Sequence, residues 1–383
     1  MKETCLVALA ILLLAFTIRV AFVNYASVAP LGGGDGQALE TMGINILKGQ
    51  AAYSGEGYAF RPPGFPFIVA QVYRFGQNHR NIYLAQSLLG ALSAMMLFLV
   101  LLRFNLAVAI VSSLIFSFHP LMLLFTKQLL TENTHIFLML LITLLAFRTL
   151  DNKVWALALG CVWGLLILTR SEGTLTVAPI LVGIAILAKR NRLFKSAIPL
   201  LIAAIVVSPW VYRNYKLLGH ATLNTAGGLN FYMSFNPNAT GGFYQPEQLA
   251  DAPNGEAERS AFYFRKGLSF IREHPARAVT LAGHKQAHLW ESFHNRFLDL
   301  ADIGLLPISL VGMLLAIRKR EHLLLLAPII GITSVFFIFE AESRYRAPMY
   351  PFLISFAAVA LVRVYQQVVR PRLPKNVRVV PET

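Results

Sequence analysis

The sequence predicts an all-α polytopic membrane protein with about ten transmembrane helices and a re-entrant or interfacial helical first outer loop. Three observations carry that prediction. Of the 383 residues, 56% are hydrophobic and only 14% charged, with a mean hydropathy of +0.57, too apolar for a soluble chain of this length. The apolar runs approach the roughly 20 residues that a helix needs to cross a bilayer. The basic residues lie in short clusters between those runs, and the clusters fall on one side once the runs are counted as spans. The net charge of +15 therefore reads as topology rather than as a nucleic-acid-binding stripe, and no nucleic acid partner is expected.

In chain order, residues 5–23 (CLVALAILLLAFTIRVAFV) form the first span. The SVA at 27–29 imitates the end of a cleaved signal peptide, but the apolar part outruns signal-peptide length and the parity of later spans needs this one. Arg19, near its outer end, is expected to snorkel toward the headgroups. After the polar stretch 31–66, FPFIVAQVYRFG is too short to cross. Spans then follow near 81–102, 105–125, 134–150, 154–169, 174–188, 197–210, 301–317, 323–339 and 347–364.

This count puts Arg103, the Arg148/Lys153 turn, KRNRLFK (189–195), RKR (318–320) and the tail residues Arg370, Arg372, Lys375 and Arg378 on the side of the N-terminus. Most acids sort to the other side, Asp35, Glu132, Glu172, Glu340 and Glu342 among them; Asp151 and Glu321 stay with the basic clusters. Both termini are expected in the cytoplasm. Residues 1–365 form one transmembrane catalytic domain with outer loops 31–80 and 211–300 as its site face, and 366–383 a basic cytoplasmic tail. Within 211–300, TAGGLNFYMSFNPNATGG reads as a loop of turn formers. Residues 256–275 and 276–293 read as amphipathic helices lying on the membrane.

Residues 31–66, LGGGDGQALETMGINILKGQAAYSGEGYAFRPPGFP, interrupt the apolar chain and carry Asp35 and Arg61. A carboxylate just above a bilayer is a costly place for an idle charge. Asp35 as a mere cap of a helix starting at Gly36 or Gln37 is the plain alternative. The other outer turns repeat the habit: Glu132 in TEN, Arg170 and Glu172 in TRSEG, Arg213 in PWVYRNY, and Glu340, Glu342, Arg344 and Arg346 in EAESRYRAP. Five such turns at one depth suggest a polar cavity roofed by 211–300. Arginines there suit a phosphate, which a guanidinium grips with a rigid fork. A carboxylate beside them suits a general base for an attacking hydroxyl, or a ligand for a divalent cation. Tyr345 and Tyr350 read as interfacial belt residues.

Competing signatures are missing from the sequence. It has no G-x-x-x-x-G-K-[ST], so no nucleotide cofactor is expected, and no H-E-x-x-H or paired C-x-x-C for zinc. His284 and His288 lie one helical turn apart, with no third ligand evident, and read as surface histidines. Asn238-Ala-Thr240 fits a glycosylation acceptor by chance. Cys5 and Cys161 both sit in apolar runs, so no disulfide framework holds the outer loops.

These residues, in order, bring a family into view. Asp35 followed by ALETMGINILKGQAAY, RPPGFPF (61–67), QSLLGALSA (86–94), LLTEN (129–133), LTRSEG (168–173), SPWVYRNYKLLG (208–219), FNPNATGG (235–242) and ESRYRAPMYPFL (342–353) carry the likeness. The chain resembles polytopic glycosyltransferases of the C superfamily, in particular the branch of protein O-mannosyltransferases and lipid A aminoarabinose transferases, which use a polyprenyl-phosphate-linked sugar as donor. The resemblance implies that Asp35 is the first-loop acid thought to be the catalytic base and Glu132 the second outer acid. It also implies donor-phosphate binding by Arg61 and by Arg344 or Arg346. Gly36 stands where many relatives have a second acid.

The expected function is an inverting glycosyltransferase of the bacterial cytoplasmic membrane, its site facing outward. It would move a monosaccharide from a polyprenyl-phosphate carrier to a hydroxyl of a glycan, lipid or protein acceptor. Arg170, Glu172, Arg213 and Glu342 are further site candidates. A lipid-linked sugar flippase is the main alternative and would place charges at the midplane of several spans. A non-catalytic membrane assembly partner is the other, and would tolerate loss of Asp35.

Overall fold

The computed structural model describes residues 2–28, 34–246 and 249–369. The glycines at 32 and 33 and the expected basic tail from Arg370 onward lie outside the described residues. Among the described residues the regular structure is entirely helical, with no strand. The helices are α1 (Lys2–Tyr25), α2 (Asp35–Leu47), α3 (Gly64–Tyr73), α4 (His79–Leu101), α5 (Leu106–Phe118), α6 (Pro120–Leu124), α7 (Glu132–Asp151), α8 (Trp155–Thr169) and α9 (Gly173–Thr176). They continue with α10 (Ala178–Leu187), α11 (Arg192–Leu218), α12 (Ala226–Ser234), α13 (Glu256–Glu273), α14 (Pro275–Leu289), α15 (Arg296–Ala316), α16 (Leu323–Val335) and α17 (Tyr350–Val364).

The protein is a multi-pass membrane protein. Among the described residues six helical segments are long and apolar enough to cross a bilayer, or seven if α5 and the helix after it, bent by 55°, count as one span. The others of the expected ten are shorter: 15 residues in α8, 13 in α16 and the broken pair α9/α10. Helix packing without a hydrophobic driving force favours small residues at the contact. The Gly160-x-x-x-Gly164 stripe of α8 does this against α11, where an added Cβ would stand 2.6 Å from Ile202 Cβ and from Val206 Cβ respectively.

α7 runs from Glu132 to Asp151 and so defines two ends of the bundle. At one end Arg103 joins Asp151 (3.0 Å) and Glu321 (2.8 Å), uniting three turns that the charge pattern had assigned to the same side. The site residues gather at the opposite end. Arg19 departs from expectation. It is fully buried, with Nη1 donating to Ala15 O (3.1 Å) and the guanidinium over the Phe116 ring. It does not snorkel because Gly90 of α4, lacking a side chain, leaves the space it fills: a Cβ there would sit 2.4 Å from its Nε.

The first polar loop is helical, as the sequence suggested, and the segment after residue 210 is more helical than expected. α2 and α3 pack as a hairpin around Leu39, Phe65, Val69 and Tyr73, with Gly43 against Val69. α11 continues to Leu218 and ends at Gly219, whose φ of +75° suits a glycine after a helix. The turn-rich stretch read as a loop contains α12, because its glycines serve packing: a Cβ on Gly228 would stand 1.9 Å from Ser260 O of α13. α13 does not lie with its apolar face on the membrane. Tyr263, Gly267 and Phe270 are buried, and Gly267 meets Phe231 of α12.

Candidate active site

Asp35 is the first residue of α2, where a negative charge complements the positive end of the helix dipole. It is not spent as a cap. Its Oδ1 meets Arg61 Nη1 at 3.0 Å and its Oδ2 meets Arg344 Nη2 at 2.7 Å. Arg61 reaches back to Glu56 (2.7 Å) and Arg344 to Glu342 (2.6 Å), so one carboxylate sits between two guanidiniums that are each tethered by another acid. Arg61 also lies over the Phe60 ring. The Asp35 side chain stays 30% exposed, so it is reachable from outside.

Beside this group Arg170 binds Glu172 at 2.5 Å, Glu132 at 3.4 Å and Thr131 Oγ1 at 3.2 Å. Tyr345 links the two halves. Its ring lies under both Arg344 (4.9 Å) and Arg170 (5.5 Å) and stacks on Phe336. Tyr345 is thus a site residue rather than the belt residue expected.

The roof is bolted to the first loop by Glu256 of α13, which accepts from Tyr58 N (2.8 Å), Ala59 N (2.9 Å) and Thr225 Oγ1 (2.6 Å). Arg213 donates to Tyr58 O (2.6 Å) and lies over Trp210. It holds the loop that carries Arg61 but does not reach Asp35.

Two expected site residues stand elsewhere. Arg346 is 1% exposed and donates to Leu289 O and Glu291 O (2.7 Å each) and to Asp302 Oδ2 (2.6 Å), inside the bundle and apart from Asp35. Three successive residues of a 3-10 turn, Ser343–Met349, cannot all face one way, so Arg344 and Arg346 part. Tyr350, also expected at the interface, is fully buried and donates to Asp302 Oδ1. Glu132 has a side chain only 2% exposed and stands behind Arg170, the place of a support rather than of a group offered to a substrate.

Sequence reading missed Glu56, Glu256, Lys285 and Asp302. Glu56 was legible in principle, five residues before Arg61 in the same polar stretch; the other three act through distant partners.

Burial pushes the Asp35 carboxyl up, but Arg344 and Arg61 more than reverse this and hold it below the ordinary carboxylate range. Burial likewise works against charge on Glu172, and Arg170 and His135 pull its carboxyl back below the usual value. Five carboxylates here face three guanidiniums, and each guanidinium is already engaged. In this arrangement both Asp35 oxygens are engaged by arginines. Among the described residues no group of three or more His, Cys, Asp or Glu could hold a metal, His284 and His288 included.

Residues 60–212 match the family model described as dolichyl-phosphate-mannose-protein mannosyltransferase. The fold is similar to that of an oligosaccharyltransferase of Archaeoglobus fulgidus tethered to an acceptor peptide: TM-score 0.63, 14% identity, covering 98% of this chain and 52% of that one. It is also similar to ArnT of Cupriavidus metallidurans bound to undecaprenyl phosphate: TM-score 0.61, 18% identity, covering 94% of this chain and 60% of that one. A structure of AglB from Archaeoglobus fulgidus with an inhibitory peptide and a dolichol-phosphate gives a TM-score of 0.59 at 13% identity, over 98% of this chain and 52% of that one. The chain spans about half to three-fifths of the length of these structures. No curated protein matches it. The chain thus resembles C-superfamily glycosyltransferases in fold, and over 60–212 in sequence.

Proposed function

We propose that the protein is an inverting glycosyltransferase of the bacterial cytoplasmic membrane, using a polyprenyl-phosphate-linked monosaccharide on the outward face. The observation that carries this reading is the Asp35 carboxylate held between Arg61 and Arg344 at the rim of the bundle. In this reading the two guanidiniums receive the lipid phosphate and the carboxylate meets the acceptor hydroxyl.

The closed arrangement sets the order of events. A carboxylate whose pKa is depressed by two arginines is a poor base, because base strength falls with pKa. The donor phosphate is a better bidentate partner for those arginines. As it takes them, Asp35 loses its counter-charges, its pKa rises, and it accepts the proton of the acceptor hydroxyl. The hydroxyl oxygen bonds to the anomeric carbon on the face opposite the carrier. The bond to the carrier phosphate breaks, and its electron pair leaves as polyprenyl phosphate, with the charge met by Arg61 and Arg344. Tyr345, whose ring lies under Arg344 and is flanked by Arg170, keeps Arg344 from swinging away. Outer segments after residue 210 choose the acceptor, whether glycan, lipid or protein.

The test is transfer of labelled sugar from undecaprenyl phosphate in membranes holding equal amounts of wild type or Asp35→Asn. Transfer by the wild type alone supports the reading. Equal transfer by both removes Asp35 from the chemistry.

A further inference from the structure

Arg344 comes to Asp35 from a turn between α16 and α17, and that turn needs a fixed register to deliver it. The anchors lie on its far side. Arg346, two residues on, uses its guanidinium almost completely: Nη1 on Leu289 O and Glu291 O, Nη2 on Asp302 Oδ2, and Nε on Tyr350 OH at 3.3 Å. Its plane lies over the Phe293 ring at 4.2 Å. Tyr350 closes the knot by donating to Asp302 Oδ1 at 2.5 Å. α14 thus ends on Arg346, α15 supplies Asp302 and α17 supplies Tyr350. Upstream, Lys285 of α14 donates to Ile338 O (2.8 Å), and Ala341 N donates to Gly241 O (3.0 Å).

A buried ion pair is weak ground for stability, since packed apolar side chains serve as well, but it fixes one arrangement among several. We propose that Asp302 and Arg346 are positioning residues that act through Arg344, setting the register of the 336–350 turn so that Arg344 meets Asp35. Its consequence for donor binding rests on the glycosyltransferase reading; the positioning itself does not.

Two measurements separate these. Nitroxide labels at Gln37→Cys and Ser343→Cys, with Cys5 and Cys161 replaced by Ser, report the distance between α2 and the turn in purified protein. A narrow distribution is expected in the parent, and a broadened or two-peaked one in Asp302→Asn. Tyr350→Phe, which deletes a single hydroxyl, makes the same test should Asp302→Asn fail to accumulate. An unchanged narrow distribution in these variants overturns the proposal.

Binding of undecaprenyl phosphate is then compared in a double-mutant cycle. Asp302→Asn is expected to weaken it about tenfold, the size of a charge-assisted hydrogen bond, and to add nothing when Arg344 is already Gln. The same loss in both backgrounds means that Asp302 does not act through Arg344, and overturns the proposal. A broadened distribution with unchanged binding in every variant supports the positioning and removes the donor-site reading instead.

Discussion

The two ends of the bundle use the same chemistry in opposite senses. At the end marked by Asp151, Arg103 is one cation shared by two carboxylates, Asp151 and Glu321, whose side chains are about half exposed. At the end marked by Glu132, Asp35 is one carboxylate shared by two cations, Arg61 and Arg344, which are 21% and 12% exposed. The two central charges are equally exposed, at 30%, and the partners make the difference: a cation between solvent-facing acids closes loops and little more, since water and salt screen it. An anion between recessed arginines is different, because a stronger anion can take the arginines from it. The comparison teaches that what matters is which charge is the exchangeable one.

The largest effect expected from breaking this contrast is at Asp35. Asp35→Asn should lower transfer by about 10²- to 10⁴-fold, the range of a lost general base, with thermal stability nearly unchanged; a radiolabel transfer assay reads it. Arg344→Lys keeps the charge but loses the fork that reaches Asp35 and Glu342 together. It should raise the donor KM about tenfold, visible in initial rates over a donor series.

Gly228→Ala tests the roof rather than the chemistry. Its Cβ would collide with backbone at Ser260, and the substitution should cost about 1–3 kcal/mol in thermal or denaturant unfolding.

A smaller effect is expected from Glu340, which accepts from Ser234 Oγ of α12 (3.1 Å), and from Lys285; both anchor the same turn to the roof. Burial pushes the Glu340 carboxyl up to about 8 from 4.5, and burial pushes Lys285 down to about 7 from 10.5. The folded protein therefore holds the Glu340 proton where the unfolded chain has released it, and that contribution to stability falls as pH rises from 4.5 to 8. The Lys285 contribution runs the other way, recovering as pH rises from 7 to 10.5. Melting curves from pH 5 to 8 should fall less steeply for Glu340→Gln than for the wild type.

The smallest effect belongs to the opposite end. Arg103→Gln should cost about 0–1 kcal/mol and leave transfer unchanged.

How much of this was legible follows the range of each interaction. Six or seven of the ten expected spans, and the common side of Arg103, Asp151 and Glu321, are written in local hydropathy and charge, so they were readable one run at a time. The gathering of Asp35, Arg61, Arg170, Glu172, Glu342 and Arg344 was readable only as a shared depth, because nothing local pairs residue 35 with residue 344. The direction of a side chain was not readable at all: Arg344 and Arg346 look alike in SRYRAP, yet one meets Asp35 and the other Asp302. Glycines misled most. Gly228 resembled a turn former and is a helix contact, and Gly90 gave no hint that it makes room for Arg19.

The central claim is that donor phosphate and Asp35 compete for Arg61 and Arg344. Its most direct test is the affinity of undecaprenyl phosphate for purified wild type and Asp35→Asn in lipid nanodiscs. Removing the competitor should tighten binding several-fold in Asp35→Asn while transfer is lost. Weaker binding in the variant, or equal binding with transfer intact, would contradict the account.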